Sequence, residues 1–148
     1  MEKKKQKFIQ VSQYGKDLKT NMEMTKEIMA ALLDAYAYEI VFVDRNHIVR
    51  YMNKTAKERY GNRVIIGNTI FNCHNENTKG KIEEFLHRAD EGEDEMFELL
   101  NGKTGEREFF VPVRDENNKV IGYFERHEVP WDKENPQESV KEYWKRRI

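Results

Sequence analysis

A single α+β domain, built on a five-stranded antiparallel sheet with helices over one face and a further helix at each end, is predicted by three features of the sequence. Apolar or near-apolar residues recur at steps of four and three from Leu18 through Met22, Thr25, Met29 and Leu32 to Tyr36, which is a helical stripe. Five runs rich in β-branched and aromatic residues then occur as a pair and a trio, each punctuated by short polar turns. Helix-forming segments fill the interval between pair and trio, and helices and strands segregated in this way give an α+β fold.

The stripe predicts one long helix from about Lys16 to Tyr36. EIVFVDRNHIVRYMN follows, where Asp44-Arg45-Asn46-His47 interrupts two extended runs and makes a hairpin. Helix formers broken at Gly61 and Gly67 predict short helices next. A longer helix should carry Ile82, Phe85, Leu86 and Ala89 on one face and stop near Gly92. MFELL, REFFVPV and KVIGYFERHEV, separated by turn residues at 101–105 and 115–118, supply three more strands. Pro112 lacks a ladder donor and belongs at a bulge or away from a partner. NPQESVKEYWKRRI opens with Asn135-Pro136, an N-cap and first-turn pair, and reads as a terminal helix in which Tyr143 and Trp144 either dock a partner or pack on the domain.

With 148 residues, 38% hydrophobic and 11% aromatic, the chain can bury one core. Its 26 basic and 27 acidic residues leave a net charge of -1, so no overall field favours nucleic acid or an anionic membrane, and neither is an expected partner. No apolar run reaches the roughly 18 residues of a membrane span, and MEKKKQKFIQ lacks the apolar segment of a signal peptide; a cytoplasmic location is expected. One cysteine can form neither an internal disulfide nor a multi-thiolate zinc site.

That cysteine stands in IFNCHNENT, with Cys73 beside His74. Thiolate and imidazole are soft metal ligands, and together they can form a nucleophile and its base. The competing reading is structural: Asn75, Asn77 or Thr78 caps the next helix, with Glu76 near its positive end. Adjacent turn residues point their side chains apart, no Ser-His-Asp set or HExxH is present, and Gly102-Lys103-Thr104-Gly105 joins strands instead of opening a helix. No enzymatic activity is expected.

From about Met29 to Trp131 the chain resembles the PAS domain family. The resemblance is carried by EIVFVDRNHIVRYMNKTA, by IIGNTIF, by the His74-led start of the long helix and by PVRDENNKVIGYF. The last is similar to the family's Pro-x-x-Asp-x-x-Gly-x-x-x-Gly hairpin, with Pro112, Asp115 and Gly122 in place and Asn118 where Gly is usual; Asn tolerates the left-handed conformation. GNTIFNCHNENTKGKIEEFL is similar to a bacterial subgroup of stand-alone or C-terminal modules with Cys-His-Pro-Pro at this place, where Asn75 and Glu76 replace the prolines. The resemblance implies a PAS fold in three parts: a helical extension over 1–28 suited to dimerisation, a sensor domain over 29–132 and a helical tail over 133–148.

It also implies a small-ligand cavity, for which the inward candidates are Ile40, Phe42, Tyr51, Ile70, Phe71, Phe85, Phe97, Phe110 and Tyr123; so many large side chains allow equally a filled core that acts through its surfaces. The cofactor stays undetermined. Flavin photoreceptors resemble Gly-x-Asn-Cys-Arg-Phe-Leu-Gln, which His74-Asn75-Glu76 departs from. Haem-binding members place a proximal His about eleven residues before a helix-ending Gly, and Lys81 stands there. Haem or metal through Cys73, His74 or His87 remains the alternative, although His87 among charged neighbours suits a solvated surface. His47 in a turn and His127 among Glu125, Arg126 and Glu128 are expected to be exposed. The family's closing Asp-x-Thr is replaced by His127-Glu128-Val129-Pro130-Trp131-Asp132. The expectation is therefore a stand-alone, non-catalytic sensor acting through a homodimer, with Leu18, Met22, Met29 and Leu32 on the pairing helix, or through a signalling partner.

Overall fold

The computed structural model describes residues 23–129 and Glu134. Leu18, Met22 and the expected C-terminal helix lie outside the described residues. The chain divides between Leu32 and Leu33 into two units; the sheet, its covering helices and the cavity all belong to the second.

Helix α1 spans Lys26–Ala35. Glu23–Thr25 are not helical, so within the described residues the helix expected from Lys16 begins only at Lys26. Thr25, the weakest member of the apolar stripe, stands at its start, where its hydroxyl accepts from Ile28 N at 3.3 Å. Met29, Leu32 and Tyr36 are exposed.

Strands β1 (Val41–Asp44) and β2 (Val49–Met52) form the first hairpin. Asp44 Oδ1 accepts from Asn46 N at 2.8 Å and Ile48 N at 3.0 Å, and His47 closes the turn at φ 62°. Asn53 then ties four segments together. Its Oδ1 accepts from Ile40 N and Ala56 N, and its Nδ2 donates to Leu33 O and Tyr38 O, all at 2.8–3.0 Å. The side chain thereby caps α2 (Lys54–Tyr60) while satisfying backbone on both sides of the sheet's start.

Two 3-10 turns, Gly61–Arg63 and Ile70–Cys73, lead to α3 (Glu76–Asp90), which is capped by Asn75 Oδ1 accepting from Thr78 N at 2.9 Å. Strands β3 (Met96–Leu100), β4 (Arg107–Arg114) and β5 (Val120–Glu128) complete an antiparallel sheet in the order β2-β1-β5-β4-β3. Pro112 lies beyond the end of the β3 register and just before a bulge at Val113/Arg114, where a missing donor costs little. In the last hairpin Asp115 Oδ1 accepts from Asn117 N and Lys119 N, repeating the Asp44 turn, and Asn118 occupies the left-handed region at φ 63°.

The core lies where α3 crosses the sheet. Ile82, Phe85, Leu86 and Ala89 from α3 meet Val43, Phe110 and Tyr123 from the strands. Phe85 and Phe110 have ring centroids 5.4 Å apart, and Tyr123 stands edge-on to both. Gly122 is required by space: a Cβ there would lie 2.3 Å from Val43 O and 2.4 Å from the Phe42 ring.

The outer face is aromatic too, and this corrects the placement of Phe97. Residues alternate across a strand, and Met96 and Glu98 take the inward positions of β3, leaving Phe97 53% exposed. There it packs edge-on against Phe109, at 5.6 Å between centroids, with Arg126 stacked 4.4 Å above the Phe109 ring. Phe42 and Tyr51, paired across β1 and β2, share this outer side.

Candidate functional site

The same alternation builds a site on the inner face. On β4 the inward residues Glu108 and Phe110 lie opposite His127 and Glu125 of β5, with Glu106 buried just before β4 and Tyr123 further along β5 opposite Pro112. Each strand therefore passes from an apolar end to an acidic end. Glu98 on β3 joins the acidic end, and Glu39, just before β1, is buried with Arg59 Nη1 donating to its Oε1 at 2.5 Å.

A cavity of about 290 Å³ opens beside this surface, between the sheet and the segment from α2 to α3. Val41, Val43, Val64, Ile70 and Ile82 form its apolar wall, and Glu39, Tyr60, His74, Glu125 and His127 bring ionisable groups to it. Of the expected cavity residues, Ile70 and Tyr123 line it. Phe85 and Phe110 are packed in the core, Phe71 lies against that core, and Ile40, Phe42 and Tyr51 are half-buried elsewhere.

His127 is not exposed, as its charged neighbours had suggested: its side chain is 4% accessible. Nδ1 lies 3.6 Å from Glu106 Oε1 and 3.9 Å from Glu108 Oε1, and Nε2 lies 4.0 Å from Glu125 Oε2. Burial opposes its charge, but the surrounding carboxylates outweigh that cost and raise its pKa. Burial, with repulsion from Glu125 and Glu108, pushes Glu98 up to about 9, so it is protonated at neutral pH. Burial also raises Glu125. Tyr60 and Tyr123 are raised for the same reason and stay neutral donors.

His47 likewise departs from expectation. Its ring stacks on Phe71 at 4.4 Å and its Nδ1 is 3.1 Å from the Tyr123 hydroxyl, because the left-handed turn residue folds its side chain back under the sheet. Burial lowers its pKa.

Cys73 and His74 both address one backbone oxygen. His74 Nδ1 is 2.8 Å and Cys73 Sγ 3.1 Å from Ile70 O, and the two side-chain atoms are 3.2 Å apart. Burial raises the thiol's pKa, and a thiol donating to a carbonyl is no activated nucleophile. Helix capping falls to Asn75 alone. His87 is exposed on α3, 3.6 Å from Glu91.

Alternation was the signal for the missed glutamates: EREFF and YFERHE place Glu106, Glu108, Glu125 and His127 on the face that carries Phe110 and Tyr123.

An antiparallel sheet in this order, helices gathered on one face and a cavity between them define the PAS fold. The chain belongs to the PAS domain family: the family profile described as "PAS domain" matches residues 29–126. Such domains are generally sensory, non-catalytic modules in signalling. Among solved structures, a C-terminal domain from Streptococcus mutans is similar, with TM-score 0.57 and 22% identity over 73% of this chain and 87% of that one. The PAS domain of BvgS from Bordetella pertussis has TM-score 0.52 and 17% identity, covering 80% of this chain and 96% of its own. A PAS domain from Colwellia psychrerythraea has TM-score 0.50 and 21% identity, covering 69% and 95%. No match was found among curated proteins. No helix among the described residues is long and apolar enough to cross a membrane.

Proposed function

We propose that the protein is a sensor whose cavity takes a small polar ligand and whose occupancy alters self-association or binding to a signalling protein. The observation that carries this reading is the two-sided cavity: an apolar wall gives shape, and Tyr60, His74, Glu125 and His127 offer directional polar contacts. A volume of about 290 Å³ suits a molecule of few heavy atoms. The pairing surface in this reading is α1, where Met29 and Leu32 are exposed on one stripe.

The test is a thermal-shift screen of small polar fragments on the wild type and on Ile70→Trp, which fills the cavity. Fragments should stabilise the wild type and not the variant. Equal responses from both proteins, or none from the wild type, contradict the reading. Sedimentation of Met29→Glu against wild type reports whether α1 pairs copies of the chain; identical profiles remove that part.

A further inference from the structure

The acidic end of the inner face holds more than a ligand wall. We propose that Glu106, Glu108 and His127 form a binding site for a divalent first-row transition ion, deepening the sensor reading on which it rests. One ligand atom from each of the three residues lies within 4.8 Å of the others. From His127 Nδ1 the two carboxylate oxygens stand at 3.6 and 3.9 Å. Ligand bonds of 2.0–2.2 Å place tetrahedral donors about 3.3–3.6 Å apart, so the two spacings from Nδ1 are within a few tenths of an ångström of those in such a site. The cavity, which His127 lines, gives an ion its route and leaves a fourth position for water or a ligand.

Clustered acids alone would not carry this. The second observation is His127 itself. Its side chain is 96% buried, and Nδ1 faces the two carboxylates from beyond hydrogen-bond distance of either. A buried nitrogen and two buried oxygens held at the spacing of metal ligands, and not at that of hydrogen-bond partners, suit an ion between them. One further group is placed to support a ligand: Asn101 Nδ2 donates to Glu108 Oε1 at 3.0 Å and fixes that carboxylate.

One neutral imidazole and two carboxylates balance a dication. The mixed nitrogen and oxygen donor set suits Zn²⁺, Co²⁺, Mn²⁺ or Fe²⁺; Ca²⁺ and Mg²⁺ prefer oxygen alone. The site is distinct from Cys73 and His74.

The experiment titrates metal-free protein with Co²⁺ and Zn²⁺, reading visible absorption of the Co²⁺ complex and metal content after dialysis. Wild type should take up one ion. Glu106→Gln, Glu108→Gln and His127→Gln should each weaken binding by about tenfold or more. Cys73→Ser and His87→Ala should bind as wild type. If a ligand variant does not fold, the wild-type titration still decides. Folded wild type without metal after dialysis against about 0.1 mM Zn²⁺ and Co²⁺ overturns the site. So does binding that survives His127→Gln or disappears in Cys73→Ser. A negative result with fragment binding intact removes the metal site and leaves the cavity reading standing.

Discussion

Glu98 makes stability fall as pH rises. Its carboxyl titrates near 4.5 when exposed and is pushed to about 9 in the fold, so between those values the folded state holds a proton that the unfolded chain has released. Stability contributed by that proton is complete below about pH 4.5 and is lost as pH climbs towards 9. The raised values of Glu125 and His127 act in the same direction. At about 1.4 kcal/mol per unit the Glu98 interval has a ceiling of about 6 kcal/mol; because Glu98 and Glu125 titrate as a pair beside a cavity that admits water, a fall of about 2–3 kcal/mol from pH 5.5 to 8.5 is expected. Urea unfolding of metal-free protein, followed by circular dichroism at several pH values, measures it. Glu98→Gln keeps the shape without the charge and should flatten the profile and stabilise the protein at pH 8.5. A wild-type profile that is flat or rises over this range refutes the reasoning, as does a variant with unchanged slope.

Three further outcomes follow from single positions. Gly122→Ala drives a methyl into Val43 O and the Phe42 ring, separating β1 from β5, and should cost about 1–3 kcal/mol in chemical denaturation. Asn53→Ala removes four hydrogen bonds to buried and half-buried backbone groups, the α2 cap among them; a loss of about 2–4 kcal/mol is expected, and a loss below about 1 kcal/mol contradicts the role assigned to it. Cys73 should alkylate slowly at neutral pH, because its thiol pKa is raised and its sulfur points to Ile70 O; reaction faster than a free thiol contradicts that geometry.

The hairpins were legible because their turns are written in local chemistry. Asp44 and Asp115 each gather two backbone N–H groups, and Asn118 takes the left-handed position that a Gly usually fills. Helix α3 was legible from its stripe and Asn75 cap. The cavity was harder to read, since inward positions were sought among large apolar residues. At the acidic end of this sheet the pattern inverts: Glu98, Glu106 and Glu108 face in, while Phe97 and Phe109 face out beneath Arg126. Only the register across β3, β4 and β5 reveals that those glutamates converge with His127. His47 was misplaced for a related reason: a turn sequence fixes the backbone and says nothing of a ring folded onto Phe71 and Tyr123. The helix start after Thr25 was hidden because a threonine satisfies both a helical stripe and an N-cap.

Central to the account is occupancy of the inner cavity, and amide and imidazole chemical shifts read it most directly. Two-dimensional ¹H–¹⁵N spectra would be recorded as a stabilising fragment from the thermal-shift screen is added. The account predicts shifts concentrated at Val43, Tyr60, Ile70, Tyr123 and His127, with Phe97 and Phe109 on the other side of the sheet unmoved. Shifts centred on those outer residues, or spread evenly with none at Ile70 and His127, would contradict it.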